Sequence, residues 1–261
     1  MSFQPVVPVG GYAGWRFLSR TLEGQRAAFA KAPGQARLVD HFRANVAKAK
    51  TAADLVGDRK LLQVALGAFG LSDDLNSRAF VQRVLEGGTL DPKALANRLS
   101  DKRYAALARE FGYGDGGSRT GLKDFADKIV ARFEAQAFQV AVGERSGDLR
   151  LALNLASGLK EVVDGNRSEN AQWYAMMGNP PLRGVFETAM GFPKSFGRLD
   201  IDQQLGAFKD RAQSMFGTGK LADFQDPARQ EKLVRLFMVR SESQAASLSP
   251  AQVTLSLLSR R

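Results

Sequence analysis

Apolar residues recur along this chain at spacings of three and four, the period of a helix face, and hardly anywhere with the strict alternation of a half-buried strand. Trp15, Leu18, Leu22 and Phe29 predict a first helix, and Leu38, Phe42, Val46 and Ala49 a second, with Pro33 and Gly34 separating them. Beyond Leu122, the set Phe125, Ala126, Ile129, Val130, Phe133, Ala137 and Val140 forms one stripe long enough for a single extended amphipathic helix. Between Asp148 and Val163 two stripes coexist, Leu149–Leu153–Ala156 and Leu151–Leu155–Val162, which predicts a central helix covered on both sides. Asp91-Pro92, Asp226-Pro227 and Ser249-Pro250 each set a capping side chain ahead of a proline, the order favoured at a helix start, so helices are expected to begin there, the last of them short. Isoleucine occurs only at Ile129 and Ile201, and no β-branched run suggests a sheet. Residues up to Gly14, with Pro5, Pro8, Gly10 and Gly11, read as an extended arm.

The pattern also repeats. Gly57, Leu61, Val64, Ala68 and Gly70 return at Gly178, Leu182, Val185, Ala189 and Gly191, always 121 residues later. Leu95, Asp101, Arg103, Leu107 and Phe111 are echoed at Leu221, Asp226, Arg229, Leu233 and Phe237 once a short insertion is allowed. In each copy the three apolar residues share one helix face, and the glycine beyond them supplies the positive-φ position that ends a helix. The expected fold is therefore all-α: a multi-helix protein built on an internally duplicated helical unit. Its expected organisation is an extended arm over 1–14, a helical region with the first copy over 15–117, long connecting helices over 118–170, and a helical region with the second copy over 171–261.

Composition narrows the chemistry. The 261 residues include no cysteine and one histidine, which removes disulfides, thiolate metal sites, cysteine nucleophiles and any multi-histidine metal site. His41, between Leu38 and Phe42, reads as a rim residue of its helix. The opening residues lack the basic and apolar regions of a secretory signal, and no stretch approaches a membrane span. The net charge of +10 gathers at the ends: residues 1–57 hold 8 basic and 3 acidic side chains, and residues 171–261 hold 12 and 8. Such a balance permits an acidic partner, but the basic residues stand singly at helical spacing, as on a solvated face.

Motifs for catalysis fail on context. Gly112-Tyr-Gly114-Asp-Gly-Gly117 spells a dinucleotide fingerprint, yet it follows a helix outside any strand–helix–strand unit and reads as a flexible connector. Gly217-Thr-Gly219-Lys220 resembles a phosphate loop, but Ser214 replaces its first glycine and Leu221 the hydroxyl that would bind Mg²⁺. The pairs Asp73–Asp74 and Asp200 with Asp202 precede new helical runs, where acids serve capping and the helix dipole. No catalytic, cofactor-binding or metal-ligating residue is expected.

The stretch Leu61 to Leu71, then Ala79–Phe80 and Val84–Leu85, then Ala96-Asn97-Arg98-Leu99-Ser100-Asp101-Lys102-Arg103-Tyr104, resembles a bacterial family known only as domain of unknown function 1217. Asp200-Ile201-Asp202 after a glycine–phenylalanine–proline turn is similar to that family's C-terminal pattern, and the resemblance runs from about Tyr12 to Arg240. Genes of the family commonly lie among flagellar genes. The resemblance thus implies a non-enzymatic structural, assembly or interaction protein of the flagellum, with flagellar proteins as partners and no assigned activity. It would be cytoplasmic at synthesis and able to associate with the flagellum or be exported without a cleaved signal. The residues singled out for partner binding are Asn97, Arg98, Asp101, Arg103 and Tyr104. Arg98 and Arg103 suit bidentate contacts to a partner's carboxylates, and Asn97 and Tyr104 suit added hydrogen bonds. The competing reading makes Asp101 a helix cap, Arg103 its ion-pair partner and Tyr104 a packed ring. A basic nucleic-acid-binding or regulatory helical module is the alternative function, and an enzyme using the acid pairs a third.

Overall fold

The computed structural model describes residues 4–165 and 168–258, with side chains as far as residue 245. The described residues form α-helices joined by short 3-10 turns, with no strand among them. In chain order these are α1 (Gly11–Ala30), α2 (Pro33–Asn45), α3 (Ala52–Gly57), α4 (Arg59–Ala68), α5 (Arg78–Gly87), α6 (Leu95–Arg98), α7 (Arg103–Phe111), α8 (Phe125–Gly143), α9 (Gly147–Gly165), α10 (Glu169–Met177), α11 (Pro180–Met190), α12 (Ile201–Phe216) and α13 (Pro227–Leu258). The chain divides into two compact units, one made of Met1–Val6 with Thr21–Ala141, the other of Val7–Arg20 with Val142–Arg261. The division falls inside α1 and inside α8.

In the first unit, one buried core draws Val39 and Phe42 from α2, Leu61, Leu62, Val64 and Leu66 from α4, Leu107 and Phe111 from α7, and Phe125, Ile129 and Phe133 from α8. Thr51 and Asp54 close a reciprocal capping box at the start of α3, and Asp58 caps α4 by accepting from the Lys60 and Leu61 amides at 2.9 and 3.1 Å. In the second unit, the face of α11 carrying Leu182, Val185, Phe186 and Ala189 packs against α9 and α13. Beside it Trp173 is fully buried among Phe186, Phe208 and Phe224, with ring centroids 5.9, 5.8 and 6.4 Å away. Glu231 of α13 ties down the first turns of α1, accepting from Tyr12 Oη at 2.8 Å and Trp15 Nε1 at 3.0 Å.

The helices α4 and α11 end alike. Gly70 and Gly191 take left-handed φ values of 69° and 72°. The Leu71 amide donates to Leu66 O at 2.9 Å, and the Phe192 amide donates to Glu187 O at 3.0 Å, each closing the wide turn that seals a helix C-terminus. Two arginines meet the last carbonyls of each helix. Arg132 Nε donates to Ala68 O at 2.8 Å and Arg103 Nη1 to Gly70 O at 2.5 Å, while Arg240 Nη1 donates to Ala189 O at 2.5 Å and Arg211 Nη1 to Met190 O at 3.2 Å. Arg132 and Arg211 also lie over the rings of Phe69 and Phe192. A cation there satisfies orphan carbonyls and complements the negative end of the helix dipole.

Four local expectations change. The helix α1 starts at Gly11, inside the expected arm, because the Gly14 amide already donates to Gly10 O at 3.1 Å. Asp91-Pro92 opens a turn: the Asp91 carboxylate takes the Lys93 amide and its carbonyl the Ala94 amide, which delays α6 to Leu95. The helix α13 runs through Pro250 without restarting. The glycine run 112–117 is a close backbone crossing instead of a flexible connector. A Cβ on Gly114 would stand 2.3 Å from Gly88 N and 2.4 Å from Glu86 O.

Candidate partner-binding site

The segment singled out in the sequence folds as a loop, the single turn α6, and the first turn of α7. Gly88 leaves α5 at φ 62° and ψ −158°, a conformation essentially reserved for glycine, and sends the chain past the 112–115 turn. Asp115 then pins the loop. Its carboxylate accepts from the Thr89 amide at 2.5 Å, the Thr89 hydroxyl at 2.7 Å and the Leu90 amide at 3.1 Å. Burial works to raise the Asp115 pKa, but these donors together with Arg119 outweigh it and hold the carboxyl below the ordinary aspartate range.

Asn97 grips the same loop from the other side, its amide nitrogen donating to Thr89 O at 2.8 Å and Asp91 O at 2.7 Å. Next to it in α6, Arg98 is exposed and its side chain makes no hydrogen bond or ion pair among the described residues. Asp101, one residue before the Lys102 cap of α7, takes the Arg103 amide at 3.0 Å and its guanidinium at 2.7 Å, so it satisfies the first amide of the helix and pairs with Arg103. The Arg103 hydrogen bond is the main cause of a lowered Asp101 pKa. Tyr104 packs edge-on against Phe80 at 5.2 Å and donates its hydroxyl to Asp74 at 2.5 Å. Burial first, and then the Asp74 carboxylate, push its pKa up to about 12. Of the five residues, Asn97, Asp101, Arg103 and Tyr104 thus hold their own backbone and neighbours, and Arg98 alone is left to meet something else.

Among the described residues, no group of three or more His, Asp or Glu side chains could hold a metal ion, and no helix is long and apolar enough to cross a membrane. The acid pairs serve locally, as Asp200 caps α12 through the Asp202 amide and Asp202 accepts from the Tyr174 hydroxyl. His41 has a partner that its sequence neighbours do not reveal: Nε2 lies 2.6 Å from Asp58 Oδ2, the carboxylate that caps α4. Burial tends to raise the Asp58 pKa, but the His41 hydrogen bond and the two capping amides bring it below its usual value.

A depressed folded-state pKa stabilises the fold above the unfolded value, about 3.9 for aspartate, and that contribution fades as pH falls through the still lower folded value. Asp58→Asn, which keeps a capping oxygen, is expected to flatten stability against pH below about 4. Asp58→Ala is expected to cost a further ~1 kcal/mol at neutral pH by removing the cap. Urea denaturation of the three proteins between pH 2.5 and 7 checks both, and parallel pH profiles for the parent and Asp58→Asn would refute the linkage.

Leu90, the exposed apolar residue of this site, carries no sequence signal. Leu90 is one leucine among many, and the acid that fixes it lies 25 residues away, inside a run that reads as a connector. Glycines clustered after a helix, with an aspartate among them, are the only hint.

The fold is shared with a protein of known structure. A crystal structure of an Agrobacterium tumefaciens protein, determined in a structural-genomics programme, matches with a TM-score of 0.70 and 25% sequence identity, over 92% of this chain and 99% of that one. No curated protein has a matching sequence. Residues 68–229, which contain the whole of the candidate segment, match the family described as protein of unknown function (DUF1217), and the chain belongs to that family.

Proposed function

We propose that this protein is a non-enzymatic structural, assembly or interaction component of the flagellum. The observation that carries the interaction half of this reading is the economy of the 88–104 segment: every polar side chain singled out there fixes backbone or a neighbour except Arg98, which faces solvent. A surface arranged in this way suits holding a partner more than converting a substrate. The flagellar half rests on the family resemblance and the gene neighbourhoods it implies. Two units whose helices α4 and α11 share the offset of 121 residues, the glycine terminus and the arginine caps support an origin by duplication within the family.

Arg98→Ala is expected to leave stability within about 0.5 kcal/mol of the parent, because an exposed, unpaired side chain is removed, and to reduce swarming on soft agar. A large loss of stability would place Arg98 in the packing and undo its assignment to the surface. The broader reading is tested by purifying a tagged copy from motile cells at moderate and at high salt. Recovery of rod, hook or export components at both is the expected result. The charge of +10 favours one competitor, a nucleic-acid-binding module, and nucleic acid that co-purifies and washes away at high salt would put that reading first.

A further inference from the structure

The 88–93 loop holds a leucine in water and keeps it from turning inward. Leu90 is 76% exposed, more than any other large apolar side chain among the described residues. A single exposed leucine is ordinary on a protein surface, and a mobile loop carrying one would call for no explanation. Here the backbone on both sides is fixed. Asp115 holds the Thr89 and Leu90 amides, Asn97 holds the Thr89 and Asp91 carbonyls, and Asp91 holds the Lys93 amide. Asp115, 25 and 26 residues away, and the nearby Asn97 of α6 thus supply the hydrogen bonds that a short exposed loop lacks, and the side chain they leave outside is apolar.

We propose that Leu90 anchors a docking site for a partner protein, entering an apolar pocket whose rim carries carboxylates that Arg98 and Lys93 meet. The proposal rests on the reading of this chain as an interaction protein and names the partner surface it fits. A loop ordered in advance loses little conformational entropy on binding, so burial of the leucine contributes nearly in full. Arg98 and Lys93 are exposed and make no ion pair among the described residues, so both can take a carboxylate without giving up a partner, Arg98 in the bidentate geometry of its guanidinium. Lys102, bonded through Nζ to the Asn97 and Leu99 carbonyls, adds positive charge beside them. The exposed cations Lys93, Arg98 and Lys102 outnumber the one exposed acid of residues 89–102, Asp91, and so select an acidic rim. A nucleic acid is a poorer match, since the loop offers no aromatic face for a base. A membrane is poorer too, since one leucine with a few cations falls short of the apolar face and basic cluster that hold a protein at a bilayer.

The test uses the full chain in motile cells, with the photo-crosslinking residue p-benzoylphenylalanine placed at position 90 and, as a control, at position 122, where Leu122 is also exposed. Crosslinks at 90 are expected to join a single protein, at peptides that border an apolar pocket and contain Asp or Glu. With that protein purified, Leu90→Asp is expected to weaken binding at least about tenfold while thermal melting stays unchanged. Arg98→Glu is expected to weaken it as well, and to be rescued when the crosslinked carboxylate is changed to lysine. If the captured protein is not flagellar and these effects hold, the docking site stands and the flagellar reading falls. If flagellar components co-purify equally with the parent and with Leu90→Asp, the docking site falls and the flagellar reading stands. Crosslinks no more frequent at 90 than at 122, or crosslinks to nucleic acid, lipid or a second copy of this chain, overturn the proposal, and this readout does not depend on how well Leu90→Asp folds.

Discussion

Trp173→Ala is expected to destabilise the second unit by about 3–5 kcal/mol, the range for truncating a large aromatic in a packed core. Trp173 has no exposed surface, stacks on Phe208 and meets Phe186 and Phe224 edge-on. These partners come from α11, α12 and the 3-10 turn Leu221–Gln225, so the cavity left by alanine would open where three segments converge and none can move in without leaving its own contacts. The indole also donates from Nε1 to Gly219 O at 2.9 Å, which fixes the 217–220 turn.

Trp173→Phe separates the two contributions. It retains most of the ring contacts and gives up the hydrogen bond, so a loss of about 1 kcal/mol is expected. Both tryptophans of the chain, Trp15 and Trp173, lie in the second unit, so fluorescence during urea unfolding reports that unit, and Trp15 continues to report it in either variant. A loss below about 1.5 kcal/mol for the alanine variant would mean that the aromatic cluster closes over the gap and is less rigidly packed than its geometry indicates.

The helical class and several element ends were legible in the sequence because they depend on neighbours a few residues apart. The face of α4 is set by Leu61, Val64 and Ala68, its end by Gly70, and the same reasoning gives α11 and Gly191. Asp226-Pro227 does begin α13, with the Arg229 amide on the Asp226 carboxylate. Asp91-Pro92 has the same letters and a different result, because Asn97 takes the Asp91 carbonyl and holds the segment as a loop. That competitor lies outside the capping motif. Long-range partners were illegible for the same reason. Arg132 and Arg103 reach the end of α4 from 64 and 33 residues away, and His41 finds Asp58 from 17. Each is an ordinary solvated or rim residue when only its own helix is considered.

The candidate site divides along the same line. Asp101 and Arg103, two apart, pair as their spacing allows. In sequence Asn97 suits hydrogen bonds to a partner, and its task here, carrying two carbonyls of a loop, becomes visible only when that loop is folded beside it. Leu90 carries no such mark, since nothing in sequence distinguishes a leucine held in water from one in a core.

Gly88→Ala is expected to cost at least about 3 kcal/mol, from two sources that act together. Alanine at φ 62° and ψ −158° is strained by about 1–3 kcal/mol before any contact is considered. Its Cβ would also stand 2.2 Å from Asp115 Oδ1 and 2.6 Å from the Gly114 carbonyl carbon. The carboxylate could swing away only by releasing the Thr89 and Leu90 amides, and the Gly114 backbone could retreat only by opening the crossing with 86–88. The neighbouring Gly87 supplies the control. A Cβ there meets nothing closer than 4.0 Å, and the residue closes α5 without a positive φ, so Gly87→Ala should be neutral or stabilising by up to about 1 kcal/mol. Chemical denaturation of the pair measures the difference directly. Gly88→Ala within 1 kcal/mol of the parent would show that the crossing yields easily, and a crossing that yields could not keep Leu90 fixed at the surface.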